Sequence, residues 1–448
     1  MNRRLALITA AIALLSARRA AAQAAGPEIS IGYQGLPYKA MPDSKTGVNL
    51  AEGVLLHFGA GAEAGYDSNV FYGSSSVPGA VVGSGILRFN AFGEITNASR
   101  GGGGPSLGYD IRAGLTYRRY TSSNPAVQLY NNAFMPSAGL SLGTSSGKWS
   151  FQLTDSFLRQ EDPPYQGVTV NSANPITRDS NLAGVQAAWS PGGGRINLTL
   201  RYTNAIDIFE QSSGFSYANS LTNNLMLDIS WKWLPKTAFF LQANQGWVTY
   251  LSDNTNGKVS SFPLRVFLGL RGLVTPKITA LVALGYANGF YSSGATTNGF
   301  WGSTYVDLQA IFTPNLLSRV TVGYHQDFIN SVISNFYYQY SGYASYVQQL
   351  GGRLALDVSA RASYLDYKGL LFVSPIMPET SRTDVTLTGG VTLDYFLRSW
   401  IYAGVGYSLG TDFTDYKLVG IDPATGVRSE LPVDYVKQQV FARLGITY

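Results

Sequence analysis

The stretch SLGYDIRAGLTYRR, residues 106–119, carries the signal that decides the fold. Taken two at a time from Leu107, it reads Leu107, Tyr109, Ile111, Ala113, Leu115, Tyr117, all apolar or aromatic. The interleaved set is Gly108, Asp110, Arg112, Gly114, Thr116, Arg118, all small, polar or charged. A period of two places these sets on opposite faces of a strand, one greasy and one wet. The greasy face then meets either a protein core or lipid.

The same alternation returns along the chain. RINLTLRY sets Ile196, Leu198, Leu200 and Tyr202 against Asn197, Thr199 and Arg201. NLMLDISWKW sets Leu225, Leu227, Ile229, Trp231 and Trp233 against Asp228, Ser230 and Lys232. RLALDVSARASY sets Leu354, Leu356, Val358, Ala360, Ala362 and Tyr364 against Asp357, Ser359, Arg361 and Ser363.

Tight turns punctuate these segments: TSSGK (144–148), SPGGG (190–194), LPK (234–236), TPK (275–277), TPN (313–315), LGG (350–352) and LRS (397–399), with NASRGGGGP (97–105) a looser member. Pro, Gly and Asn reverse a chain at low strain. Between the turns lie longer polar loops: 68–82, 120–133, 159–178, 206–217, 251–261, 291–302, 328–335, 367–381 and 411–432. Short turns at one end and long loops at the other are the asymmetry of an outer-membrane barrel. A soluble two-sheet sandwich shares the local pattern but needs shorter strands and two closed faces. The reading is therefore an all-β, transmembrane, up-and-down antiparallel β-barrel of about 18 strands, an even number that leaves both termini on one side.

Composition agrees. Charged residues are 13% of 448, and there are 29 Tyr, 50 Gly and no Cys. That is about half the usual share of charge. Without cysteine, disulfides, thiolate metal sites and cysteine nucleophiles are excluded together. Aromatics at Tyr117, Trp189, Trp231, Trp233, Tyr286, Trp301 and Trp400 fall near strand ends, where interfacial girdles belong.

The N-terminus carries a basic MNRR, an apolar LALITAAIALLSA and small residues around Ala22 and Ala24, the order of a secretory signal. The alternative is an uncleaved anchor, for which the apolar part is short. The expected organisation is a signal peptide over 1–24, a short periplasmic lead-in over 25–52 and the barrel over 53–448. Arg3, Arg4, Arg18 and Arg19 precede the first acid, Glu28, so the formal charge of +5 becomes 5 − 4 = +1 without them. Net charge thus gives no support to a nucleic-acid partner.

If the greasy set faces lipid, the alternate set lines a lumen wide enough for water. The expected lining residues are Arg88, Glu94, Asp110, Arg112, Arg118, Arg201, Asp228, Arg265, Arg271, Arg319, Arg361 and Arg443, with Glu63, Lys232, Asp307 and Asp357 among them. Their basic excess predicts a mild preference for anions. Pairing across strands would instead make them structural. The loops 159–178 and 411–432 are candidates to fold inward, and Tyr337, Tyr338 and Tyr340 to stack on sugar rings.

Other motifs dissolve on inspection. GAGAEAG (59–65) has the wrong spacing for a dinucleotide loop and lies inside a strand, and GTSSGKW (143–149) is one residue short of a phosphate loop. SDNTNG (252–257) lacks the closing Glu of a calcium loop. The only histidines, His57 and His325, fall on inward sets, so the expectation is no enzyme, no cofactor and no metal.

Residues 47–73, GVNLAEGVLLHFGAGAEAGYDSNVFYG, resemble the entry of the beta-barrel porin 2 family, through the run Tyr66, Asp67, Ser68, Asn69, Val70, Phe71. The resemblance implies an outer-membrane barrel, in some members tied to exopolysaccharide secretion. Three roles stand as expectations. The first is a passive channel for small hydrophilic solutes or a polysaccharide. The second is a dedicated exopolysaccharide exit working with periplasmic export components. The third is a closed structural or adhesive barrel. The partners expected in common are outer-membrane lipid and the outer-membrane assembly machinery, the latter reading the final strand QQVFARLGITY with its terminal aromatic Tyr448.

Overall fold

A computed structural model describes residues 47–97, 107–128, 133–162, 176–210, 215–252, 257–292, 303–371, 381–421 and 428–448. The expected signal peptide, most of the lead-in, the heart of the 159–178 loop and Trp301 lie outside the described residues.

The strands, in chain order, are β1 (Val48–Ala51), β2 (Val54–Asp67), β3 (Ser84–Thr96), β4 (Gly108–Tyr120), β5 (Ala133–Ser146), β6 (Trp149–Asp162), β7 (Ile176–Trp189), β8 (Ile196–Phe209), β9 (Ser220–Leu234), β10 (Thr237–Tyr250) and β11 (Leu264–Thr275). They continue as β12 (Ile278–Asn288), β13 (Ser303–Asn315), β14 (Ser318–Asn330), β15 (Ser334–Leu350), β16 (Leu354–Leu370), β17 (Arg382–Arg398), β18 (Ile401–Thr414), β19 (Lys417–Ile421), β20 (Arg428–Pro432) and β21 (Tyr435–Thr447). Each of β2 to β18 pairs antiparallel with its neighbour in sequence; β21 then pairs with both β18 and β2. The ring therefore closes at 17 + 1 = 18 strands, and no edge is left open.

β1 stands outside this ring. β21 pairs with β2 only from Gly59 upward, and β1 pairs with Val54 to Leu56 below it. The stretch expected as unpatterned lead-in thus ends in a short strand that covers the bare flank of β2.

The face pattern follows the sequence period. Along β21, inward Lys437, Gln439, Phe441 and Arg443 are buried, while outward Val436, Val440, Leu444 and Ile446 are exposed. Outward Phe58, Phe89, Leu115, Phe151, Leu200, Leu241, Leu268, Leu284, Val322, Val391 and Val405 carry the same exposed apolar surface round the ring. Exposure of this kind on every strand is a belt, not a scatter of surface residues. Stacked aromatics bound it near the turns, with Trp149 and Trp189 at 6.0 Å and Trp231 and Phe239 at 6.3 Å. Near the loops, Phe89, Tyr117 and Phe134 do the same.

The family-like run Tyr66–Phe71 works at the closure. Asn69 accepts from the Gly73 amide at 2.8 Å and donates to the carbonyls of Gly73 and, across the seam, Val436. Its amide is capped by Asp67 at 3.0 Å. Val70 is buried with Ile86, Tyr120 and Val127. The first loop is so pinned to the last strand.

Two expectations need correction. The TPN turn at 313–315 lies inside β13, and the reversal falls at Leu316 and Leu317. At five of the nine expected loops strands also run two to four residues past the border; β14 and β15, for example, leave only 331–333 between them, not 328–335. Above an apolar belt both faces of a strand are polar, so the alternation that marks strands disappears while the ladder continues.

Candidate pore lining and mouth

All twelve charged residues expected in the lumen lie on the inward face, but in two different settings. The first is a seam formed by β17, β18, β21, β2 and β3. There Arg443 donates to Asp394 through Nε (2.7 Å) and Nη2 (2.5 Å), with side chains 0% and 4% exposed. Arg88 reaches Glu63 at 3.4 Å and donates to Gln439 at 2.9 Å. Gln439 donates in turn to Asp67, which also meets Lys437 Nζ at 2.8 Å and accepts from the Tyr120 hydroxyl. Nearer the loops, Arg382 makes a bidentate pair with Asp384, lies 3.7 Å from Asp412 and sits over the rings of Tyr367 and Tyr416. These groups are dry. Phe441 lies over Gly406 and Tyr402 over Gly445, where a Cβ would meet each ring within about 2.2 to 2.6 Å. Only glycine leaves room for the aromatic blanket.

The second setting is the rest of the wall. Arg112 pairs with Asp110 at 2.9 Å, with side chains 59% and 29% exposed. Arg271 lies 3.6 Å from Asp228, and Arg201 donates to Gln186. Arg361 packs over Tyr343, which accepts from Gln309 at 3.0 Å. Glu94, opposite Arg112 and His57, and Arg118, opposite Arg88, are half-buried. Arg265 pairs with Asp327 at 2.8 Å under the loops. Among described residues, the inward strand charges that are exposed are Arg112, Lys232, Arg319 and Arg361. All four are basic; every described inward carboxylate is half-buried or buried.

The mouth is narrowed by an element that the sequence reading placed elsewhere. The 331–333 tip of the β14–β15 hairpin sets Val332 among Phe209, Phe215, Tyr217 and Ala218, and Tyr217 donates to the Val332 carbonyl. Those partners end or follow β8, six strands from β14 in a ring of 18, a third of the way round. The two meet over the opening. Ile333 packs with Tyr337, Leu365 and Tyr367 on one side, and Phe336 stacks on Tyr291 at 4.7 Å on the other.

Lys258, from the loop between β10 and β11, holds this tip. Its Nζ donates to the carbonyls of Ser331 and Ser334 (2.9 Å to the latter) and to the Tyr250 hydroxyl at 3.2 Å. The adjacent Val259 amide donates to Asn335. Lys258 is 4% exposed, has no carboxylate partner among the described residues, and burial pushes its ammonium down to about 7. The loop 411–432, the other candidate to fold inward, carries the separate β19–β20 hairpin. Tyr337 is buried, Tyr338 packs edge-on to Phe336 at 5.4 Å against the buried cluster below the mouth, and Tyr340 lies on the outward face against Tyr364 at 6.0 Å. Tyr340 is therefore not placed to meet a sugar in the lumen.

Sequence reading missed Asp67, Arg178, Asp207, Lys258, Asp327, Arg382, Asp384, Asp394, Asp412 and Lys437. Arg178 and Asp207, 3.6 Å apart, lay within segments read as loops. His57 and His325 sit on β2 and β14, on different parts of the ring. His325 packs edge-on to Tyr305 at 5.6 Å.

No family model matches the chain, and no curated protein matches it. Among solved structures it is similar to OccAB4 of Acinetobacter baumannii, at 10% identity over 88% of this chain and 98% of that one, TM-score 0.43. It is also similar to a ferric enterobactin receptor variant of Pseudomonas aeruginosa, at 8% identity over 88% and 80%, TM-score 0.46. A third likeness is to the FrpB iron transporter of Neisseria meningitidis, at 8% identity over 88% and 81%, TM-score 0.41. Likeness this distant is one of barrel architecture and says nothing of cargo.

Proposed function

We propose that the chain is a passive outer-membrane pore for small hydrophilic solutes, with a preference for anions. One observation carries the reading: the charges left accessible on the inner wall are Arg112, Lys232, Arg319 and Arg361, without an exposed carboxylate among the described inward residues. Fixed accessible charge biases the ions that pass, whereas paired and buried charge does not. The apolar outer belt supports a lipid setting, with the short turns on the periplasmic side and the loops outside. The alternating outward face of β21 supports delivery by the outer-membrane assembly machinery. The resemblance at Tyr66–Phe71 points the same way. In this reading the barrel needs no cofactor and performs no chemistry; the Lys258-held hairpin sets the size limit at the mouth.

Liposome swelling tests it. Refolded full-length protein should admit small sugars and admit a small anionic solute faster than its cationic counterpart. Vesicles that swell no faster than protein-free controls would remove the pore reading.

A further inference from the structure

Resting on the membrane reading above, the outward face of β6 holds a group that lipid does not suit. Asp155 is exposed and points outward. Its neighbours on that face are Leu153 and Phe157 along β6, Leu140 across on β5 and Ala183 across on β7. It stands six residues above Trp149 at the turn end, and Leu140 opposite it stands six residues below Phe134 at the loop end. Asp155 therefore lies within the belt, on the turn side of outward Arg159, which pairs with Asp179 at 3.3 Å, and its one described hydrogen bond comes from Asn181 Nδ2 at 2.8 Å. A carboxylate keeps acceptor sites beyond that bond, and the amide of Asn181 keeps a carbonyl and a second N–H. Hydrocarbon satisfies none of these, so ionisable groups at such depth face protein or water rather than lipid tails.

We propose that the β5–β7 face is covered by a second copy of this chain. A rotation axis in a bilayer runs along the membrane normal, so it brings each residue against its counterpart at the same depth. The Asp155–Asn181 pair contains both acceptors and donors. It therefore complements itself: each carboxylate can take an N–H from the partner copy's amide. Beside it run small outward side chains. Ala138 on β5 pairs with Ala113 on β4, and Ala91 on β3 pairs with Ala60 on β2, all outward and exposed. Small outward side chains let two walls approach closely, and interwall hydrogen bonds then hold them.

The chain has no cysteine, so single cysteines report cleanly. Full-length Asp155→Cys and Ala344→Cys would be purified and reconstituted in liposomes. Ala344 lies outward on β15, nine strands away and likewise six residues above its turn end at Leu350. Oxidation should give a dimer band from the first variant and none from the second. A fluorophore at 155 should be shielded from brominated acyl chains that quench one at 344. In the native background, Asp155→Leu with Asn181→Leu should raise the monomer share about tenfold while leaving heat-modifiable barrel mobility intact. Equal quenching at both positions, or a double variant that associates like the parent, would overturn the proposal. Absence of quenching at 344 as well would instead count against the membrane setting itself.

Discussion

The inner wall is built two ways, and the contrast explains what each part does. Along the seam, Arg443, Arg88, Arg382 and Lys437 are locked to carboxylates beneath aromatic rings, with side chains at most 7% exposed. On the remaining wall Arg112 is 59% exposed, although it too has a carboxylate neighbour. Charge in the seam joins the last strand to the first, where ring closure has to be specified between residues such as Gln439 and Asp67, 372 positions apart. Charge on the open wall faces water, where a pair adds only about 0–1 kcal/mol, and in the proposed pore it is this charge that meets the solute.

The largest expected effect is in the seam. Arg443→Met leaves Asp394 charged, buried and unpaired, which should lower unfolding stability by about 3–5 kcal/mol. Urea titration of the refolded barrel measures it. Arg443→Met with Asp394→Leu should recover most of the loss; a single variant as stable as the parent would mean that the seam is not dry.

The mouth lies between the two regimes in size of effect. Lys258→Met strands two backbone carbonyls and should loosen the hairpin by roughly 2 kcal/mol, seen as larger and noisier single-channel currents. The docked ammonium sits at about 7, while a released lysine titrates near ~10.4. Release therefore takes up a proton between those values. Acidifying from the upper value to the lower should favour the open mouth, with no further change below it; the Lys258→Met variant should lose this dependence.

On the open wall, Arg112→Ala should change stability by less than about 0.5 kcal/mol yet lower anion preference. Together with Lys232→Gln, Arg319→Gln and Arg361→Gln it should bring the reversal potential close to zero. A large stability loss in that variant would erase the distinction between the regimes.

Much of this architecture is legible in the chain. The two sets in 106–119 are the two faces of β4, and five of the seven sharp turns fall where Pro or Gly stands between alternating runs. The division of the wall into dry and wet is not legible. Arg88, Arg112 and Arg443 look alike in sequence; which one is buried depends on what the register brings beside it, such as Asp394, 49 positions from Arg443. The mouth was hidden for another reason. β14 and β15 rise above the belt, where hydrophobic alternation no longer tracks the ladder, and Lys258 in its polar loop has no local pattern to mark it.

The measurement that tests the central claim most directly is the reversal potential of refolded protein in a planar bilayer under a salt gradient. An accessible wall whose exposed charges are basic predicts steady conductance with anion selectivity. A cation-selective current, or a barrel that never conducts, would contradict it.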